Sequence, residues 1–154
     1  RDAESIFDQL LSFGYTDIKS EDIEKMFGKI NSLKIAEFAH LLIAKKMDKA
    51  LAELALLAAH GYNLAHFTKD LISYLRRTLV LKLNPQMENF FKEEMTPDSL
   101  IRMKAAAGLV KDEHLNLLKS LINAYGQMRY SQFPIIPLEI AIVESLKAKT
   151  QVKE

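Results

Sequence analysis

Apolar residues recur every three or four positions along most of the chain, which is the spacing of helices that bury one face. No segment alternates apolar and polar residues as a half-buried strand would. The clearest stripe follows Asn63, a predicted N-cap, and its members are Leu64, Phe67, Leu71, Leu75 and Leu79. The pattern predicts an all-α fold arranged as a helical bundle.

Capping residues and glycines place the ends of the predicted helices near the start of the chain. The first helix covers residues 2–13, and a short second helix runs from Ser20 to Gly28. A third helix begins at Asn31 or Ser32. Its predicted buried face consists of Ile35, Phe38, Ala39, Leu42 and Ile43. We therefore expect two short helices before the main bundle, with a boundary close to residue 29.

The middle of the chain carries further start and stop signals. Asp48 is a predicted cap for an alanine-rich helix that Gly61 ends. The linker at 84–95 leaves room for a short helical turn. Thr96 and Pro97 then form a strong helix start, because a capping hydroxyl precedes a proline at the first helical position.

Two apolar helices meet at a proline-bounded corner, residues 133–137. Asp112 is the predicted cap of the helix before the corner, and Pro137 is the predicted first residue of the helix after it. The stripe before the corner consists of Leu118, Leu121, Ile122 and Tyr125. We expect this stripe to pack against the last helix.

The last helix is apolar over more than one face. Its regular stripe consists of Leu138, Ala141, Ile142 and Leu146, whereas Ile140 and Val143 lie off that stripe. Such a helix is buried on several sides, either within its own domain or against a neighbour. We expect it to be the central element of the fold, and Ile140 and Val143 are our candidates for an interface.

The composition argues against a disulfide-stabilised, a nucleic-acid-binding or a membrane-spanning protein. The chain has 154 residues, a formal charge of +1 and no cysteine, so it has no disulfide and no broad basic field for nucleic acid. No uncharged apolar run approaches the ~20 residues of a membrane span, so we expect no membrane partner. The absence of cysteine is typical of a cytoplasmic setting.

The sequence carries no catalytic motif. It lacks the G-x-x-x-x-G-K-[ST] loop that cradles phosphates, and it has no nucleophile motif of the G-x-S-x-G type. The histidines at 40, 60, 66 and 114 show no metal-ligand spacing. We therefore predict no catalytic residue, no metal site and no bound cofactor in the chain itself.

Two separated segments resemble the gamma/tau subunits of the bacterial DNA polymerase III clamp loader. The first carries Arg1-Asp2-Ala3, Asp8-Gln9 and Glu21-Asp22, which resembles the end of the family's AAA+ ATPase lid. The second carries Ser131 and Pro134 before a Leu138–Ile142 helix, which resembles the end of the family's collar domain. Ile140 stands where leucine is commoner in the family.

The resemblance implies a domain layout and a cofactor for the parent protein. Residues 1–29 would end the ATPase lid, residues 30–148 would form the helical collar, and residues 149–154 would be a tail. Arg1 would be the second-sensor arginine, which reaches ATP and its Mg²⁺ only in a full-length ATPase subunit. A permanently charged planar guanidinium suits that contact with phosphate.

The resemblance also implies a function in DNA replication. The collar would hold loader subunits together (further copies of this subunit and subunits of the delta and delta-prime type), in a cytoplasmic, nucleoid-associated replisome. The chain would act on DNA and the sliding clamp only as part of the intact loader. A generic all-helical protein-interaction domain is the alternative, and an enzyme is the third and weakest possibility.

Overall fold

The computed structural model describes residues 20–147, with side chains from residue 31 onward, and that range contains helices and no strand. The predicted all-α fold is confirmed, while the helix predicted at 2–13 lies outside the described residues. The seven α-helices are α1 (Ser20–Ile43), α2 (Met47–Ala59), α3 (Leu64–Leu83), α4 (Glu88–Glu94), α5 (Pro97–Leu109), α6 (His114–Met128) and α7 (Ile135–Lys147). A 3₁₀ turn, Pro85–Met87, joins α3 to α4.

Helix α1 is continuous, so the predicted break after Gly28 is wrong. A glycine inside a helix costs only about 1 kcal/mol relative to alanine. Burial of the predicted apolar face of α1 offsets this cost, since Phe38, Ala39 and Leu42 are almost completely inaccessible. The division into residues 1–29 and 30–148 stays a prediction.

Schellman motifs end both α1 and α2. At the end of α1, Lys45 adopts a φ of 60°, and the Lys46 N–H donates to the Leu41 carbonyl at 2.9 Å. At the end of α2, Gly61 adopts a φ of 78°, which confirms that this glycine ends the helix. The tight turn after α1 starts α2 at Met47, so Asp48 lies in the first turn and the prediction that it caps α2 is wrong.

Substituting alanine for Gly61 should destabilise the protein by about 1–2 kcal/mol, because a Cβ disfavours the left-handed conformation. The ideal Cβ position has no neighbour within 4 Å, so backbone strain is the only expected cost. Gly108→Ala is the control, since that helical glycine also has open space and should gain up to about 1 kcal/mol. Chemical denaturation measures the change in unfolding free energy of both variants. Equal changes would contradict the assignment of a left-handed conformation to Gly61.

Side-chain caps confirm two other predicted helix starts. Two further predicted starts are wrong. Asn63 accepts from the His66 N–H at 3.0 Å, and Thr96 accepts from the Ser99 N–H at 3.3 Å. The predicted cap Asp112 is wrong, because α6 begins at His114 and follows Glu113. Helix α7 begins at Ile135, so Pro137 is its third residue, where the backbone N–H still needs no helical partner.

The core has two parts joined by α3. The larger part gathers side chains from α1, α2, α6 and α7 around the first half of α3, and Phe38 and Phe67 meet edge to face at 5.2 Å. The smaller part packs Leu81 against Phe91, Leu100 and Met103 from α4 and α5. Helix α3 contacts α1, α5 and α6, whereas α7 packs mainly on α6 and α2. The central element is therefore α3, and the prediction that the last helix is central is wrong.

Candidate functional site

Helix α7 divides its apolar residues between the core and the surface. Leu138 and Ile142 are completely buried against the bundle, whereas Ile140 is 51% exposed and Ile136 is 48% exposed. Val143, one turn beyond Ile140, is partly buried. We call Ile136, Ile140 and Val143 the α7 outer stripe. They follow one another at i, i+4 and i+7, so they share one face of the helix.

The corner before α7 brings the first residue of this stripe into place. The Ser131 hydroxyl accepts from the Phe133 N–H at 3.1 Å, and the helix then starts at Ile135. This early start adds Ile136 one turn before Ile140. Sequence reasoning placed Ile140 and Val143 off the buried stripe but missed Ile136, although its spacing of four from Ile140 was a usable signal.

Helix α6 presents a different face to the core than its sequence suggested. Leu118 and Leu121 are buried as predicted, but Ile122 is 50% exposed. The buried face instead includes Leu117 and Ala124, which lie on the other side of Leu121. The prediction that Ile122 belongs to the buried face of this helix is therefore wrong. Ala124 is buried in the main core, and its small side chain gives only a weak apolar signal in the sequence.

A groove of about 560 Å³ lies between α1 and α5. The buried side chains of Phe38 and Ala106 form its floor, and Leu33 and Leu109 stand half exposed at its edges. We call this feature the α1–α5 groove. A more polar cleft of about 760 Å³ continues beyond Tyr74 and Arg102, which line both spaces. Neither space was predicted from the sequence.

Two ionisable groups near these helices have perturbed pKa values. Burial raises the pKa of the Tyr74 phenol, and the charge of Arg102 partly opposes that shift. A hydrogen bond from Lys104, at 3.1 Å, lowers the pKa of the Glu88 carboxyl. Tyr74 therefore keeps its proton at neutral pH, and Glu88 keeps its negative charge beside Lys104.

His114 joins the start of α6 to the end of α1 and is only 5% exposed. The Lys111 N–H donates to Nδ1 at 2.8 Å, and Nε2 lies 3.2 Å from the Ile43 carbonyl oxygen, to which it donates. An ion pair of 2.7 Å between Lys45 and Glu113 spans the same junction. The role of His114 is thus structural, and sequence spacing gave no signal for it.

Replacing His114 by alanine should lower the free energy of unfolding by about 1–3 kcal/mol, because it removes the hydrogen-bond partners of the Lys111 N–H and of the buried Ile43 carbonyl. His40→Ala is the matched control, since His40 is exposed and should change stability by no more than about 0.5 kcal/mol. Thermal or urea melts of both variants give the comparison. Similar losses of stability in the two variants would show that the hydrogen bonds of His114 do not stabilise the junction between α1 and α6.

The described residues hold no cluster of the kind that binds a metal. Over residues 31–147, no cluster of three or more histidine, aspartate or glutamate side chains is placed to hold a metal. No helix within the described range has the length and apolar character needed to cross a membrane. Arg1, the predicted ATP-contacting residue, lies outside the described residues. The surface features described above are the α7 outer stripe, the α1–α5 groove and the more polar cleft beside that groove.

Comparison with known proteins identifies a family and a relative. The family described as DNA polymerase III subunits gamma and tau domain III matches residues 18–154. DNA polymerase III subunit tau of Bacillus subtilis (strain 168) is 28% identical over 151 residues, which is 98% of this chain and 26% of the relative. The chain thus spans about a quarter of the length of the curated relative it matches. No solved structure matches the chain significantly.

Proposed function

Because the chain belongs to the family of domain III of the DNA polymerase III subunits gamma and tau, we propose that it is the collar through which a clamp-loader subunit joins its neighbours. Its role in that assembly is mechanical. The bundle holds subunits together while ATP-driven movements elsewhere in the loader place the sliding clamp on DNA. The chain itself would supply no catalysis.

The α7 outer stripe is the observation that carries this proposal. Ile136 and Ile140 are about half exposed on a helix whose opposite face is completely buried. Burying an isoleucine side chain is worth about 1.5–3 kcal/mol, so a neighbour covering this stripe gains a substantial part of its binding energy there. Contiguous exposed apolar side chains typically mark a protein interface.

The rest of the parent protein completes the proposal. A phosphate-loop ATPase module would precede the chain, ATP and Mg²⁺ would bind there, and Arg1 would contact the nucleotide across the lid. Partners would be further copies of the subunit and subunits of the delta and delta-prime type. The loader would work in the cytoplasm at the replisome, without a membrane partner.

Size-exclusion chromatography with light scattering tests the collar role directly. The purified chain is run alone, with delta-type and delta-prime-type subunits, and with an unrelated helical protein as a control. We expect stable complexes with loader subunits and none with the control. A chain that stays monomeric in every mixture would rule out the collar role, and the generic interaction domain would then be the better description.

A further inference from the structure

The α1–α5 groove has the shape of a site for one helix. Its floor is apolar, and Leu33, Ala105 and Leu109 line its sides. Polar side chains also line the groove, namely Lys34, Glu37, His40 and Glu53. Leu109 is 52% exposed at one end. Grooves with an apolar floor between two helices accept the apolar face of a third helix. The occupant is therefore expected to be an amphipathic helix.

The dimensions of the groove match the α7 outer stripe. Along α1 the lining runs from Leu33 to Leu41, about 12 Å at the helical rise of 1.5 Å per residue. Along α5 the lining runs from Arg102 to Leu109, about 10 Å. The stripe from Ile136 to Val143 also extends about 10 Å. One face of α7 would therefore fill the groove from end to end.

Each surface also has one charge near an end, and these two charges are opposite in sign. Arg102 lies at one end of the groove and makes no salt bridge with any residue that the structure describes. Glu144 is exposed on α7, four residues after Ile140 and on the same face, and within residues 31–147 it likewise forms no salt bridge. Arginine and carboxylate form strong paired hydrogen bonds when they meet.

We propose that the α1–α5 groove receives the α7 outer stripe of a second copy of this chain, with Arg102 of one copy paired to Glu144 of the other. This inference rests on the proposed collar function and names the surface that the stripe contacts. The two surfaces differ, so the contact is head to tail. Each copy then offers its stripe to one neighbour and its groove to another, which builds rings or open chains.

Two blocked variants test the head-to-tail contact. Ile140→Glu places a charge in the stripe, and Ala105→Glu places one in the groove; both positions are exposed, so both variants should fold. In sedimentation velocity over a concentration series, wild-type chain should form oligomers and each variant should be monomeric. An equimolar mixture of the two variants should form a dimer, because it retains one intact stripe facing one intact groove. Ala55→Glu, an exposed alanine on α2, is the matched control and should assemble as wild type does.

The alternative outcomes separate this inference from the collar function itself. If Ala105→Glu assembles normally while Ile140→Glu does not, the stripe is an interface but the groove is not its partner, and only the further inference fails. If wild-type chain never self-associates yet binds delta-type subunits, the second copy is again the wrong occupant. A chain that binds neither itself nor any loader subunit would overturn both proposals.

A charge exchange tests the proposed ion pair. Arg102→Glu and Glu144→Arg should each weaken self-association at least tenfold, and the double variant should recover most of it. The recovery should disappear in high salt, because the pair is electrostatic. Failure of the double variant to recover, while both single variants remain folded by circular dichroism, would reject the pairing of Arg102 with Glu144.

Discussion

Replacing Ile142 by alanine is expected to destabilise the protein by about 2–5 kcal/mol, which is the range for truncating a buried isoleucine. Ile142 is completely inaccessible and belongs to the main core with Leu121 and Leu138. The loss has two sources, the apolar surface that is no longer buried and the cavity that the neighbouring side chains fill incompletely. It would be a large part of the roughly 5–15 kcal/mol that stabilises an ordinary domain.

Urea denaturation of the variant gives the free energy directly. Ile140→Ala is the matched control, since it makes the same substitution on the same helix at a residue that is 51% exposed. We expect this control to cost less than about 1 kcal/mol. Comparable losses in the two variants would mean that α7 does not divide into a core face and an outer face.

Helical periodicity predicted much of the core. The faces containing Phe38, Leu71 and Leu138 are buried as expected, because one turn of helix brings every third or fourth residue to the same side. Helix starts at Asn63 and Thr96 were also predictable, since their side chains cap the backbone through local contacts. These features depend on residues that are only a few positions apart, so they can be predicted from the sequence.

The failures concern contacts between distant parts of the chain. Helix α1 continues through Gly28, although local propensity favours a stop there. Helix α6 begins at His114 and not after the expected cap Asp112, and the His114 ring reaches the Ile43 carbonyl, which is far away in the sequence. The choice of α3 as the central helix likewise depends on which helices meet, and periodicity does not identify partners.

The candidate site also has one part that local periodicity predicted and one part that it did not. Ile140 and Val143 were found because they lie off the regular stripe of their own helix, and the structure places Ile140 on the surface. The α1–α5 groove was missed because its walls come from helices that are separated by three others along the chain. Residues such as Ala36 and Ala105 have no apolar signal strong enough to mark a binding surface. Their importance follows only from the arrangement of the helices around them.

Substituting glutamate for Ile140 should leave the isolated chain nearly as stable as wild type and abolish its assembly with loader subunits. The side chain is 51% exposed, so in the free chain a carboxylate at this position is hydrated. Once an interface closes over the α7 outer stripe, that carboxylate becomes a buried charge without a partner. Burying an unpaired charge costs several kcal/mol, enough to outweigh the contribution of a typical interface residue.

Two measurements on each variant separate a role in assembly from a role in folding. Thermal melts report the stability of the isolated chain, and size-exclusion runs with delta-type subunits report assembly. Ile101→Glu is the matched control: Ile101 is 64% exposed on α5, within the smaller part of the bundle, and its substitution should affect neither measurement. If Ile140→Glu unfolds the chain, Ile140 belongs to the core. If the variant stays folded and still assembles, the α7 outer stripe is not the interface, because a charge buried at its centre would have to break the complex.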